Sequence, residues 1–224
     1  MSATSRTRWV SYVQLLGVAA FLALTAVLGA RTLPALVGAG QVWLLLPAAA
    51  LAYLAADLAA GVVHWYCDTF FREDTPVLGP AIIRGFREHH RDPTGITRHG
   101  FAEVNGSNCW VMVLPLAFAV ASGGPAPASL PSLAAHALLL LFGLAIFATN
   151  QFHRWAHAER VPPGVRTLQR WGLILSPERH DVHHSGHHDR GYCVTTGWLN
   201  PLLDRLEIFQ RLERLVRPGR IPPR

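Results

Sequence analysis

The chain has 224 residues, 50% of them hydrophobic and 15% charged, and its net charge of +6 is carried by arginine alone, with no lysine. That is long enough for one sizeable domain, and its three cysteines (Cys67, Cys109, Cys193) form no C-x-x-C pair, which argues against a disulfide framework. No basic stripe with interleaved aromatics occurs, so the high pI does not point to a nucleic-acid partner.

In chain order, the apolar residues gather into four runs. Val10–Gly29 and Val42–Val63 are each about the 20 residues that cross a bilayer, and Leu133–Phe152 is a third. Cys109–Gly123, shorter and interrupted by Pro115, is the fourth. Apolar runs of this length are hard to bury in a soluble helical fold of this size. Arg6 and Arg8 ahead of the first run suggest a signal peptide, but the run is too long for an h-region and a second span follows at once. It reads as a retained helix.

Arginines flank Val10, fill residues 72–98 and fill residues 154–220, whereas only Arg31 lies between the first two spans. By the positive-inside rule, both termini and the segments 64–108 and 153–200 lie in the cytoplasm. The end of the chain, "LLDRLEIFQRLERLVRPG", repeats apolar residues at helical spacing between arginines. A helix over residues 202–217 is expected, either lying in the head-group plane or packed on the domain.

The segments between and after the spans carry the histidines. His64 and Asp68 stand four apart at the end of the second span, one stripe of a continuing helix that also includes Asp57. Asp57 lies inside the apolar run, where a carboxylate is costly and a functional or metal-linked role is the default. "FREHHRDPTGITRH" supplies His89, His90 and His99, and "TNQFHRWAH" supplies His153 and His157 at i, i+4. "SPERHDVHHSGHHDRGYC" holds five histidines, of which His180, His183 and His184 share one helical face. His136 falls at the far end of a span and is expected to be a packed core residue.

Singly these are weak signals; together they predict a metal site. Zinc takes about four ligands, and eight histidines (His64, His89, His90, His153, His157, His180, His183, His184) with Asp68 are about double that. Two iron ions would use them all, and imidazole and carboxylate suit iron. A soluble carboxylate-type di-iron site would show Glu-x-x-His pairs instead. H-E-x-x-H, phosphate loops and a G-x-S-x-G elbow are absent.

At these residues the chain resembles the Kua-type lipid desaturases, the family of plasmanylethanolamine desaturase and CarF-like proteins. The resemblance rests on "ADLAAGVVHWYCDT", "FREHHRDPTGITRHGFAEVNGSNC", "TNQFHRWAH" and "RHDVHHSGHHDRGYCVTTGWLN", in matching order from about Ala56 to Pro218. It implies that the eight histidines and Asp68 are metal ligands. His99 and His188 also match recurring histidines and, with Asp57, are expected near the metals or as alternate ligands. The chain departs from the family pattern at His187, in place of proline, and at Phe70-Phe71, in place of Trp-Gly.

The expectation is therefore an all-α integral membrane protein: one desaturase domain over residues 1–224, with four spans and a cytosolic, histidine-rich di-iron cap. The resemblance implies an oxidoreductase that uses O2 and two electrons from a cytochrome b5- or ferredoxin-like protein to desaturate a membrane phospholipid. Its most specific form makes the vinyl ether of plasmalogens. An acyl-lipid desaturase and a lipid hydroxylase are the enzyme alternatives. A membrane metal transporter is the non-enzyme one, although it would need polar residues through the spans. Arg72, Arg84, Arg87 and Arg91 are candidates to hold the lipid phosphate, and a solvated loop explains them equally well.

Overall fold

The structure, a computed structural model of the chain, describes residues 3–76, 79, 83–123 and 129–217. Among these residues there is no strand. The helices are α1 (Ala3–Gly38), α2 (Leu45–Phe70), α3 (Arg84–Arg91), α4 (Phe101–Ala121), α5 (Leu130–Ala156), α6 (Pro163–Arg170), α7 (Pro177–His184), α8 (Asn200–Arg205) and α9 (Ile208–Val216). Trp9–Gly38, Val42–Phe70, Phe101–Ala121 and Leu130–Ala156 are long and apolar enough to cross a membrane. Most of the stretch "GGPAPASLP" between α4 and α5 lies outside the described residues.

Two compact units are present: Met1–Ala56 with His99–Gln151, and Asp57–Arg98 with Phe152–Arg224. The first is a helical bundle. Along α1 and α4, Ser11 Oγ donates to Glu103 Oε1 (3.3 Å), Trp110 Nε1 to Val13 O (3.0 Å) and Arg31 Nη1 to Val120 O (2.6 Å). Both numbers rise together, so the two helices are parallel. Helices α4 and α5 run oppositely, joined by Asn108 Nδ2 to Ile146 O (2.8 Å) and Asn150 Nδ2 to Val104 O (2.7 Å). Leu36, Leu44, Ala48, Leu133 and Ala137 close one end of the bundle. Gly106 lets α1 and α4 approach, since a Cβ there would lie 2.6 Å from Gln14 Cβ. Outward-facing Leu46, Leu114 and Phe118 are exposed, as a lipid-facing surface requires.

Helix α4 begins at Phe101 rather than near Cys109. Its polar first turns are satisfied locally: Glu103 Oε2 accepts from Gly100 N (3.1 Å) and Asn105 Nδ2 donates to Phe101 O (3.0 Å). The polar residues thus extend the helix instead of ending it.

The second unit collects the histidine-bearing segments. Ser176 caps α7 by accepting from Arg179 N (3.4 Å), with Pro177 in the first helical position. Arg154, near the end of α5, donates to Thr97 O (2.9 Å) in the short turn Pro93–Arg98. Trp65, Tyr192 and Phe209 form one buried cluster, and Ala156, Leu175 and Val194 another. The single tail helix expected over residues 202–217 is instead two, because Glu207 takes a left-handed conformation (φ 50) between α8 and α9. Phe209 is buried, whereas Leu202, Leu206, Leu212 and Leu215 stay exposed.

Candidate metal centre

Nine side chains of the second unit sort into two groups, each with one donor atom per residue within 4.8 Å of all the others. His89, His153, His157, His180 and His184 form the first, and His64, Asp68, His90 and His183 the second. These are the eight histidines and the carboxylate singled out in the sequence. Each short helix divides its histidines. Adjacent His89 and His90 on α3 diverge into different groups, while on α7 the i, i+4 pair His180 and His184 joins the first and His183 the second. Helix α2 gives His64 and Asp68 to the second group. Helix α5 gives His153 to the first, with His157 just beyond its last residue.

In the first group the Nε2 atoms of His153 and His89 are 3.0 Å apart, His153 and His180 2.8 Å, His157 and His89 3.1 Å. His184 lies 3.0 Å from His89 and 3.1 Å from His180. Ligands at right angles about an ion with metal–nitrogen bonds near 2.1 Å stand about 3.0 Å apart, and tetrahedral ligands about 3.4 Å. Five nitrogens at the right-angle spacing exceed what tetrahedral zinc takes. In the second group His90 and His183 Nε2 are 3.0 Å apart, and Asp68 Oδ2 lies 3.4 Å from His64, 3.5 Å from His90 and 3.7 Å from His183.

Burial sets the protonation states. Loss of water, aided by neighbouring imidazoles, pulls His89 down to about 2, His90 and His157 to about 3, and His184 to about 4. His180 and His183 are held well below their ordinary value for the same reason. Neutral imidazoles are what a metal requires.

Backbone carbonyls then fix which nitrogen is free. His64 Nδ1 lies 3.2 Å from Tyr192 O, and His183 Nδ1 lies 2.9 Å from Arg190 O. A carbonyl only accepts, so each Nδ1 donates and each Nε2 keeps its lone pair for the group. His64 Nε2 and both Asp68 carboxylate oxygens are buried with no hydrogen-bond partner among the described residues. Buried acceptors of this kind, with an all-imidazole-and-carboxylate donor set, fit metal ions.

The other sequence candidates lie around or away from these groups. His188 stacks on His90 (4.4 Å between ring centroids) and donates from Nδ1 to His183 O (2.9 Å). Asp57 is fully buried, and its carboxylate accepts four backbone N–H bonds from residues 195–199. His99 belongs to the first unit, 3.5 Å from Glu103. His187 is exposed. His136 donates from Nδ1 to Ser132 O (2.8 Å) in its own helix.

Of the arginines, Arg87 turns inward and donates to the carbonyls of Asp68 (2.6 Å) and Phe71 (3.0 Å), pinning the end of α2. Arg72 pairs with Asp74 (3.2 Å) and Arg91 with Glu73 (2.9 Å), while Arg84 is exposed. Sequence reasoning missed the carbonyls of Arg190 and Tyr192, because a backbone acceptor carries no side-chain signal. Burial pushes the Cys193 thiol up, which keeps it protonated beside the site.

The lipid desaturase domain family matches residues 53–220, the stretch that holds all nine donors. The chain is 44% identical to plasmanylethanolamine desaturase of Myxococcus xanthus, over 78% of this chain and 61% of that protein. It is 44% identical to mouse plasmanylethanolamine desaturase 1, over 73% of this chain and 61% of that one. Identity to chloroplastic fatty acid desaturase 4 of Arabidopsis thaliana is 35%, over 72% of this chain and 48% of the relative. The matched region therefore spans less than two thirds of each of these relatives. No solved structure matches the chain.

Proposed function

The chain belongs to the lipid desaturase domain family, and from that premise we propose that it is a multi-pass membrane enzyme that desaturates the ether chain of a plasmanyl phospholipid. The reaction removes one hydrogen from each of two adjacent carbons beside the ether oxygen, turning the alkyl ether of plasmanylethanolamine into a vinyl ether. O2 takes those two hydrogens together with two electrons and two protons, leaving two waters. The two electrons come from an external donor of cytochrome b5 or ferredoxin type. Two iron ions, which the two groups would hold, would supply the O2 activation and hydrogen abstraction.

The observation that carries this reading is the sorting of nine buried or half-buried donors into two ligand groups within the family-matched region. The chain's own residues do the rest. Carbonyls of Arg190 and Tyr192 hold two imidazoles in the ligating tautomer. Phe86 and Tyr192 stand against His64, at 5.5 and 5.7 Å between ring centroids, and keep water from that group. Exposed Arg72, Arg84 and Arg91 hold the lipid phosphate, while Arg87 serves the protein backbone. The arginine distribution supports a site and termini on the cytoplasmic side, and residues 1–224 act as one desaturase domain.

A second reading, desaturation of an acyl chain, draws support from the 35% identity to a plant fatty acid desaturase. One experiment separates the two. A host that makes alkyl-ether phospholipid but no vinyl ether is grown in air with this chain expressed, and its lipids are analysed before and after mild acid. Acid-labile vinyl ether is the expected product. A new acyl double bond with no acid-labile lipid favours the second reading, and neither product contradicts desaturation.

A further inference from the structure

Helix α2 and residues 192–199 meet in a fixed register that leads from a buried carboxylate to a ligand imidazole. Asp57 Oδ1 accepts from the backbone N–H groups of Thr195 (3.1 Å), Thr196 (2.7 Å) and Gly197 (3.0 Å), and Oδ2 accepts from Leu199 (3.3 Å). One turn further along α2, Gly61 packs on Cys193, where a Cβ would lie 2.6 Å from Sγ. Nearly one more turn on, His64 Nδ1 meets Tyr192 O. As α2 advances from 57 to 61 to 64, the facing chain steps back from 199 to 193 to 192.

The far side of this segment is fastened independently. Asn200 brackets Cys193, accepting from its N–H (2.8 Å) and donating to its carbonyl (3.0 Å). Asp204 accepts from Gly191 N at 3.2 Å through either oxygen. The carbonyl of Tyr192, which holds His64, lies between these fastenings, and that of Arg190, which holds His183, belongs to the peptide whose N–H Asp204 accepts. Both imidazoles belong to the group that contains Asp68 and His90, and neither belongs to the five-histidine group.

We propose that Asp57 is a positioning residue chiefly for the His64–Asp68–His90–His183 metal site, acting through the backbone of residues 190–199. Three N–H donors converge on one oxygen, which an ionised carboxylate accepts well and a neutral amide oxygen less well. An amide in its place would also turn an NH2 toward the Leu199 N–H, donor against donor. Loosening this anchor leaves the Tyr192 and Arg190 carbonyls held from one side only, by Asn200 and Asp204. Removal of a group that orients a ligating histidine costs about 10–100-fold in metal affinity. The five-histidine group draws its ligands from α3, the end of α5 and α7; Thr195 O and Thr196 O accept from Leu175 N (3.0 Å) and Arg179 Nη1 (3.1 Å) beside α7, so it feels this anchor less directly than the two imidazoles held by carbonyls.

This inference rests on the two-metal reading, and the test keeps the two apart. Detergent-purified full-length chain is stripped of metal and titrated with Fe2+ without oxygen, counting bound ions and their affinities. Wild type is expected to bind two ions. Asp57→Asn should bind one with little change in affinity and the other about 10–100-fold more weakly. A second route perturbs the same register without touching charge: Gly61→Ala should weaken the same ion, and Gly61→Ala with Cys193→Ala should restore it in part by removing Sγ, the backbone N of residue 193 staying 3.3 Å from the new Cβ. Two ions bound to Asp57→Asn as in wild type would overturn the inference and leave the two-metal reading standing. Equal weakening of both ions, or no rescue by the double variant, would also overturn it, since Asp57 would then be a general fold anchor. A wild-type chain that binds a single ion would overturn the reading and the inference together.

Discussion

His180 Nε2 stands 2.8 Å from His153 Nε2, although one ring comes from the short helix α7 and the other from the end of the long helix α5. Two neutral imidazoles cannot both offer lone pairs across that distance without repulsion, and a hydrogen bond can relieve only one pair at a time. Five such nitrogens within 4.8 Å of one another are mutually compatible when all donate to a cation. Folding the metal-free chain leaves that repulsion in place, so metal and fold stabilise each other.

Removing one ligand therefore has a local and a catalytic effect. His183→Ala should abolish desaturation and reduce bound metal by one ion per chain. His136→Ala, whose ring serves its own helix at Ser132, should leave both unchanged. Elemental analysis and lipid product measured at equal expression check this, and equal loss in the two variants would contradict the clustering.

Asp68 is the only carboxylate among the nine donors, and both of its oxygens are buried without hydrogen-bond partners among the described residues. Asp68→Asn keeps its size and removes its charge. The expected outcome is loss of product and of the second-group ion, with the five-histidine ion retained. A graded loss of about 10–100-fold would mean that Asp68 orients His64 without ligating. Full activity with full metal would remove it from the site.

The metal-free chain should be acid-sensitive. Its buried histidines lie below their ordinary value when folded, with His90 and His157 at about 3. Below pH 6.5 the unfolded chain therefore binds more protons than the folded one, and stability falls as pH falls. Thermal unfolding of stripped protein in detergent should show a lower midpoint at pH 5 than at pH 8, with a smaller drop when metal is bound. Equal midpoints in the stripped protein would contradict the neutral, buried cluster.

In the helical bundle, Gly106→Val places atoms where Gln14 now packs. Overpacking of this kind costs about 1–3 kcal/mol. The variant should unfold at lower temperature with its metal content intact while folded, whereas an unchanged midpoint would contradict the close packing of α1 on α4 at Gly106.

The sequence carried the site's membership further than its wiring. Helical spacing placed His64 with Asp68 and His153 with His157, because i, i+4 neighbours share a face whatever surrounds them. The same rule put His180, His183 and His184 on one face, yet His183 serves the other group. Which neighbour a helical face meets depends on tertiary packing, and spacing holds no information about it. Asp57 was conspicuous as a carboxylate in an apolar run, but its partners are backbone N–H groups more than 130 residues away, and any sequence supplies those. The early start of α4 and the break at Glu207 were hidden for a related reason. Polar residues 101–108 find helix-internal and neighbouring acceptors, and the apolar spacing runs on past residue 207 while the backbone turns.

The most direct measurement is the metal content of the wild-type chain. Protein expressed with ample iron and purified in detergent is analysed for iron and zinc per chain. Two ligand groups with nine donors predict about two iron ions and little zinc. One zinc per chain, with no iron, would contradict the account.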